Sequence, residues 1–172
     1  MPGSNFFLDK SDPASWRALN GLALKVADAG EQAGLPRSVI ELVNVRISQL
    51  NGCAFCLDLH VRLARDAGVS DQQLAVLPAW RDTALFTQTE RAALTIGEAI
   101  TGLPGHDSLH AGMNAARAAL TDAQYSALQW AAVTMNAFNR ISILSRHPVH
   151  PVHPRSSAGA AGPGREPVGS QA

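Results

Sequence analysis

Three points in this chain of 172 residues carry the sequence pattern that starts an α-helix most distinctly. At each, a hydroxyl residue is followed three positions later by Glu or Gln, a capping box in which the two side chains satisfy free backbone amides. The three pairs are Ser70 with Gln73, Thr87 with Glu90, and Thr121 with Gln124. They predict the starts of helices four, five and seven, so we expect the second half of the chain to be largely helical.

Helix breakers and apolar residues at helical spacing define the remaining helices. The predicted ranges are Asp12 to Gly30 for helix one, Pro36 to Leu50 for helix two, Cys53 to Gly68 for helix three and Asp107 to Leu120 for helix six, with helix seven ending at Arg146. No segment has the alternation typical of a strand. We therefore predict an all-α fold of about seven helices, with short connections that make neighbouring helices antiparallel.

The charge balance limits the possible partners. Lys plus Arg number 14 and so do Asp plus Glu, while charged residues make up only 16% of the chain. Such a chain has no net field to attract nucleic acid or an anionic membrane, so we predict neither partner. Low charge on amphipathic helices favours a homo-oligomer. Without an apolar stretch of 18 residues or a signal peptide, the expected location is the cytoplasm.

The composition changes after Arg146. Residues 147–172 contain five prolines and four glycines, and their only large aliphatic residues are three valines. Such a segment buries too little to order itself. We predict one domain over residues 1–146 and a disordered Pro/Gly/Ala-rich tail over 147–172. Its His-Pro repeat is interpreted as solvated, with adventitious metal binding as the alternative.

The chemical signal lies in the only two cysteines, Cys53 and Cys56, and in His60. On a helix that begins at Cys53 these three residues share one face, and the His60 ring leans back over the turn that holds Cys56. Both thiols lie in the first turn, where the helix dipole lowers a thiol pKa. The pattern predicts a reactive dithiol with a histidine base beside Cys56.

Glu41 joins this group through the turn at Asn51-Gly52. A helical hairpin that pivots there returns position 41 to about position 62 or 63, one turn from His60. Glu41 can then orient His60, which gives the chain of carboxylate, imidazole and thiol that activates a cysteine nucleophile.

Other interpretations of the same residues remain open. The two thiols could be inert and buried, or they could bind zinc with His60, although a structural zinc site needs a fourth ligand. His106 and His110 lack a third ligand and are interpreted as surface histidines. The chain has no phosphate-binding loop, dinucleotide fingerprint or Gly-x-Ser-x-Gly elbow, and its Cys-x-x-Cys is not in a strand-helix unit of the thioredoxin kind.

The spacing of Glu41, Cys53, Cys56 and His60 resembles that of the alkylhydroperoxidase AhpD-like members of the carboxymuconolactone decarboxylase superfamily. Looser similarities extend over about residues 15–145. They are Trp80-Arg81, Leu85-Phe86, Glu90 to Leu94, Leu120-Thr121 and Asn136 to Arg140. The superfamily's decarboxylases work without this cysteine pair, so its presence argues against a lactone decarboxylase.

The resemblance implies a helical homotrimer or homohexamer with a peroxide-reducing dithiol. In such proteins the residue matching Cys56 attacks the peroxide, the one matching Cys53 resolves the sulfenic acid, and those matching Glu41 and His60 relay protons. No cofactor is bound, and the electrons come from an external thiol or lipoyl reductant, a reductant protein or a lipoylated carrier. AhpD proper has a histidine where this chain has Phe55, a difference that bears on peroxide turnover and on the reductant.

These observations together predict a thiol-dependent peroxidase that reduces alkyl hydroperoxides through a dithiol/disulfide cycle with a Glu-His proton relay. Two alternatives are a redox-sensing or disulfide-exchange protein, and a non-catalytic helical oligomer with a vestigial site.

Overall fold

The fold is helical, as a computed structural model that describes residues 5–151 shows. Within this range there is no strand, and a 3₁₀ helix (Leu77–Asp82) separates α5 from α6. The α-helices are α1 (Leu8–Ser11), α2 (Pro13–Gln32), α3 (Arg37–Asn51), α4 (Ala54–Asp66), α5 (Asp71–Val76), α6 (Gln88–Gly102), α7 (His106–Ala118) and α8 (Asp122–Leu144). The predicted all-α class is confirmed, and the seven predicted helices correspond to α2 through α8.

The predicted capping boxes are all formed. Ser70, Thr87 and Thr121 each accept a hydrogen bond from the backbone three residues on, and the Gln or Glu at that position bonds back to the cap. The starts of α5, α6 and α8 were predictable because a capping box is complete within four residues and needs no tertiary contact.

Helix α1 was not predicted, because four residues are too few to show a helical period. It is held by Ser145, the fully buried residue that caps the end of α8. The Leu8 amide donates to Ser145 Oγ at 3.0 Å, and the Asn5 side chain donates to the Ser145 carbonyl at 3.0 Å. The two ends of the described chain therefore meet.

Helix α3 is the centre of the domain and packs against α4, α6 and α8. Eight of its fifteen residues are buried, since one apolar cluster lies on each side of it. It packs tightly on α6 at Gly97, where an added Cβ would lie 3.1 Å from Val43 Cγ1. A side chain at position 97 would push α3 away from α6.

The α3–α4 hairpin turns where the sequence predicts it. Gly52 ends α3 with φ +67°, a left-handed conformation in which glycine has no Cβ penalty. Cys53 follows in extended backbone and is the N-cap of α4, so the helix starts at Ala54 rather than at Cys53.

The chain also turns sharply after α8. Arg146 has φ +48°, and the His147 amide donates to the Ser142 carbonyl at 3.1 Å, which closes the end of the helix. His147, the first residue of the predicted tail, thus contacts the helical body. Residues 152–172 lie outside the described residues, and disorder there stays a prediction. In the described part of the chain no helix combines the length and apolar character needed to cross a membrane.

Candidate active site

The α3–α4 hairpin brings Glu41 against His60. Glu41 is in the first half of α3, His60 is two turns into α4, and Glu41 Oε2 lies 2.6 Å from His60 Nδ1. The contact predicted from the pivot at Gly52 is therefore present. A carboxylate only accepts hydrogen bonds, so Nδ1 carries the proton and Nε2 is left as the basic nitrogen.

Glu41 is completely buried. Its other carboxylate oxygen, Oε1, forms an ion pair with Arg37, one turn earlier on α3, and the Asn44 side chain lies 3.5 Å from Oε2. Burial raises the pKa of the Glu41 carboxyl, but the hydrogen bond and charge of His60, together with Arg37, outweigh burial and bring the pKa below its usual value. Glu41 is therefore an anion in the interior of the domain, where its field acts strongly on His60.

The two thiols lie side by side at the start of α4. Cys53 is 2% exposed and Cys56 is 4% exposed, both are free, and the Cys56 amide donates to Cys53 Sγ at 3.4 Å. Burial raises the pKa of the Cys53 thiol to about 12, and the neighbouring Cys56 contributes to the rise. The prediction that the helix end lowers the pKa of Cys53 was wrong, because desolvation outweighs the helix dipole at this position.

A cavity of about 730 Å³ opens beside the hairpin. Cys56 and His60 line it, whereas Cys53 does not, so a small molecule in the cavity meets Cys56 first. The other walls are largely apolar. They include Trp16, Val26, Ile40, Leu59, Met135 and Phe138. Thr134 also lines the cavity, and its buried hydroxyl has no hydrogen-bond partner within residues 5–151.

No group of three or more His, Cys, Asp or Glu side chains among the described residues could hold a metal ion. The alternative of a zinc site at Cys53, Cys56 and His60 therefore gains no support. His106 and His110 lie on the exposed surface of α7 with their Nε2 atoms 3.1 Å apart, as expected for neighbours at i and i+4.

Sequence reasoning missed four residues near the thiols. Arg37 is one turn from Glu41 on the same helix, a spacing that signals an ion pair. Asp9, Ser142 and His147 carried no such signal, because they come from opposite ends of the chain. His147 Nε2 lies 3.1 Å from Asp9 Oδ1, and His147 Nδ1 lies 3.2 Å from Ser142 Oγ.

Comparison with known proteins gives the family. The model of the carboxymuconolactone decarboxylase family matches residues 13–99. The uncharacterized protein YdfG of Bacillus subtilis is 36% identical over 116 residues, which are 66% of this chain and 77% of YdfG. The uncharacterized protein YnjA of Escherichia coli is 42% identical over 67 residues, which are 38% of this chain and 36% of YnjA.

A crystal structure of a protein from Agrobacterium tumefaciens has a similar fold, with a TM-score of 0.76 and 30% identity, over 88% of this chain and 100% of that one. That protein is described as being of unknown function and as a candidate antioxidant defence protein, AhpD. This similarity, the family match and the hairpin with Cys53 and Cys56 agree with one another. The chain belongs to the carboxymuconolactone decarboxylase family and is an AhpD-like member of it.

Proposed function

We propose that this protein is a thiol-dependent peroxidase that reduces hydroperoxides with Cys56 and Cys53. One observation carries the proposal. The buried Glu41 carboxylate contacts His60, and His60 lines the same cavity as Cys56. An imidazole held by a carboxylate beside a thiol is an arrangement that activates a cysteine nucleophile. The family and the likeness to a candidate antioxidant defence protein support the same chemistry.

The first step oxidises Cys56. His60 Nε2 takes the thiol proton, and the Cys56 thiolate attacks the terminal oxygen of the hydroperoxide. An S–O bond forms, the O–O bond breaks, and the departing alkoxide takes the proton back from His60 as the alcohol. Glu41 stabilises the imidazolium that exists between these transfers. The product is a sulfenic acid on Cys56.

The second step joins the two cysteines. The Cys53 thiolate attacks the Cys56 sulfur, an S–S bond forms, the S–O bond breaks, and the departing hydroxide is protonated to water. An external thiol or lipoyl reductant, free or on a carrier protein, then returns two electrons to the disulfide. No bound cofactor takes part. We expect this cycle in the cytoplasm, where such reductants are abundant.

The cavity favours an organic hydroperoxide over hydrogen peroxide. Its walls are largely apolar, and Trp16 and Phe138 meet edge to face with ring centroids 5.6 Å apart. Burial of an alkyl or aryl group there stabilises the bound substrate by about 25 cal/mol per Å² of apolar surface removed from water.

We propose in addition that the protein is a homotrimer or homohexamer. Trp130, Val133 and Leu144 lie on one face of α8 and are 53%, 48% and 68% exposed. Large apolar side chains that share an exposed face favour association. Light scattering coupled to size exclusion should give three or six times 18.1 kDa, and a monomer at micromolar concentration would contradict the assembly.

The test of the peroxidase is multiple turnover. We expect the wild-type protein to consume many equivalents of cumene hydroperoxide with a dithiol or lipoyl reductant, and Cys56→Ser to consume none. Without reductant, Cys53→Ser should take up about one equivalent and stop at the sulfenic acid. Consumption of a single equivalent by the wild type would indicate a redox sensor instead, and no consumption would indicate a vestigial site.

A further inference from the structure

The proposed cycle requires a base for Cys53 as well as for Cys56. Cys53 must become a thiolate to attack the oxidised Cys56, yet it is 2% exposed and burial holds its pKa far above neutrality. At pH 7, a thiol with a pKa of about 12 is deprotonated in only about one molecule in 10⁵. His60 is bound to Glu41 and lines the cavity together with Cys56, whereas Cys53 does not line that cavity.

A second set of polar groups, which lines the same cavity as His60, extends from Ser142 beside Cys53 to Asp9. The Ser142 hydroxyl, on the last turns of α8, lies next to the Cys53 sulfur, where it lowers the pKa of the thiol by favouring the thiolate form, although burial outweighs this effect. Ser142 Oγ lies 3.2 Å from His147 Nδ1, and His147 Nε2 lies 3.1 Å from Asp9 Oδ1. Ser142 is buried, while Asp9 and His147 are 15% and 14% exposed.

The chemistry of the Asp9, His147 and Ser142 side chains determines which atom carries each proton. The Asp9 carboxylate can only accept, so His147 Nε2 donates to it and Nδ1 accepts from the Ser142 hydroxyl. The Ser142 oxygen then has a free lone pair to take the Cys53 proton, and once its own proton has moved to His147 the Ser142 hydroxyl can donate to the thiolate and stabilise it. The order of carboxylate, imidazole, hydroxyl and thiol allows a proton to leave Cys53 and a positive charge to rest on His147 beside Asp9.

The fold holds His147 in this position from several directions. Its ring stacks on Phe7 at 5.9 Å between centroids and meets Phe55 edge to face at 5.1 Å. The backbone reverses at Arg146, whose φ of +48° is a conformation that costs a residue with a side chain about 1 kcal/mol or more. Such a turn persists only where its surroundings determine it.

We propose that Asp9, His147 and Ser142 form a second proton relay that deprotonates Cys53 for disulfide formation, separate from the Glu41–His60 pair that serves Cys56. Ser142 carries the proton away from the reacting sulfur, His147 is the base, and Asp9 is a positioning residue. As Cys53 attacks Cys56 its proton moves to Ser142, whose own proton moves to His147 Nδ1. The departing group then leaves as hydroxide from a sulfenic acid, or as a thiolate from a mixed disulfide.

This inference rests on the proposed dithiol cycle, so its experiment must separate the two. The probe is dithiodipyridine, an aromatic disulfide that releases a coloured thione each time a thiol attacks it or its adduct. The first release reports attack by Cys56, and the second reports attack by Cys53 on the mixed disulfide. A parallel mixing experiment with cumene hydroperoxide traps the sulfenic acid with dimedone and measures the same second step in the peroxide reaction.

The variants are Ser142→Ala and His147→Gln, with His110→Gln as the matched control on the exposed face of α7. Gln at position 147 can still bond to Ser142 and Asp9 but cannot carry the proton. We expect the first release to stay within about twofold of wild type, and the second to slow by roughly 10² to 10⁴-fold in both relay variants only.

The pH dependence distinguishes a base from a structural contact. Without the relay, the second step depends on hydroxide, and its rate should rise about tenfold per pH unit between pH 7 and 9, because the thiolate fraction does. The wild type should rise less. Besides Asp9 and Cys56, the titratable groups that share the cavity with His147 are Lys10, Arg37, His60 and His150, and none of these is changed in these variants.

An unchanged second release in both Ser142→Ala and His147→Gln would overturn the relay, as would an equal slowing of both releases. A further variant, Asp9→Asn, should fold and slow the second step less than His147→Gln, because it weakens the base without removing it. If the wild type gives both releases but leaves cumene hydroperoxide unconsumed, the peroxidase proposal fails and the relay stands.

Discussion

Glu41 and Glu98 provide a test, because the variant that loses more stability should be the one that keeps its reactivity. Glu41 is fully buried and contacts His60 and Arg37, whereas Glu98 is 17% exposed and contacts Arg46, Trp80 and Arg81. Only Glu41 lies at the thiols. Because both are acidic partners of arginine in the same domain, Glu41→Gln and Glu98→Gln are matched changes.

Glu98→Gln should cost more stability. All three partners of Glu98 are hydrogen-bond donors, so the amide nitrogen of the new glutamine would face another donor. Arg46, which is only 14% exposed, would also lose the negative charge that pairs with its guanidinium. Breaking a buried ion pair in this way costs about 3–5 kcal/mol. With about 2–4 °C lost per kcal/mol for a chain of this size, the Tm should fall by roughly 6–20 °C.

Glu41→Gln should lower the stability less than Glu98→Gln does, but it should strongly lower the reaction rate of Cys56. Arg37 is 59% exposed and can return to water, and neutral His60 can change tautomer to accept from the new amide. We expect a loss of about 1.5–3 kcal/mol, the net contribution of a hydrogen bond to a charged group. The rate of Cys56 alkylation and peroxide reduction at pH 7 should fall about 10 to 10⁴-fold, the range for lost general-base assistance.

The assay is thermal unfolding together with the pH dependence of Cys56 alkylation in the wild type, the two single variants and His60→Phe. Higher pH should restore part of the rate in Glu41→Gln, since hydroxide replaces the relay. The double variant Glu41→Gln, His60→Phe should be little slower than His60→Phe, because the two groups act as a unit. A wild-type rate in Glu41→Gln, or an equal loss of rate in Glu98→Gln, would remove Glu41 from the site.

Three further outcomes are expected. Mild oxidant should convert Cys53 and Cys56 into an intramolecular disulfide, seen by intact mass as the loss of two alkylatable thiols; an intermolecular product alone would refute the dithiol cycle. Gly52→Ala should lower stability by about 1–2 kcal/mol because of its φ of +67°, whereas Gly21→Ala, exposed in α2, should raise it by about 0.5–1 kcal/mol; equal effects in thermal melts would contradict the turn. Glu41 and Glu98 both have a lowered pKa in the folded state, so their stabilising contribution is complete above about pH 4.3 and is lost as the pH falls through the folded values. Tm measured from pH 7 to pH 3 should therefore drop less steeply in Glu98→Gln than in the wild type.

The sequence was informative wherever the structure depends on neighbours along the chain. The capping box at Thr87, the turn at Gly52 and the contact of Glu41 with His60 each lie within one helix start or one hairpin. Periodicity and turn chemistry determine such features, and they were predictable for that reason.

Features that depend on tertiary packing were not predictable. Asp9 and His147 are 138 residues apart and neither belongs to a periodic segment, so no local pattern connects them. The pKa of Cys53 was predicted with the wrong sign because the helix end is visible in the sequence, whereas the degree of burial is not.

The positions of the relay residues along the chain have a consequence for biosynthesis. Glu41 and His60 are separated by 19 residues and can meet as soon as the α3–α4 hairpin forms, whereas Asp9 must wait for His147, which is made 138 residues later. Short-range contacts form early in folding, and closing a longer loop costs more entropy. A nascent chain that meets peroxide therefore has a reactive Cys56 before Cys53 has its base. Its sulfenic acid would persist and oxidise further to sulfinic acid, which thiol reductants do not reverse. Newly made chains should consequently carry more irreversible oxidation at Cys56 than mature ones.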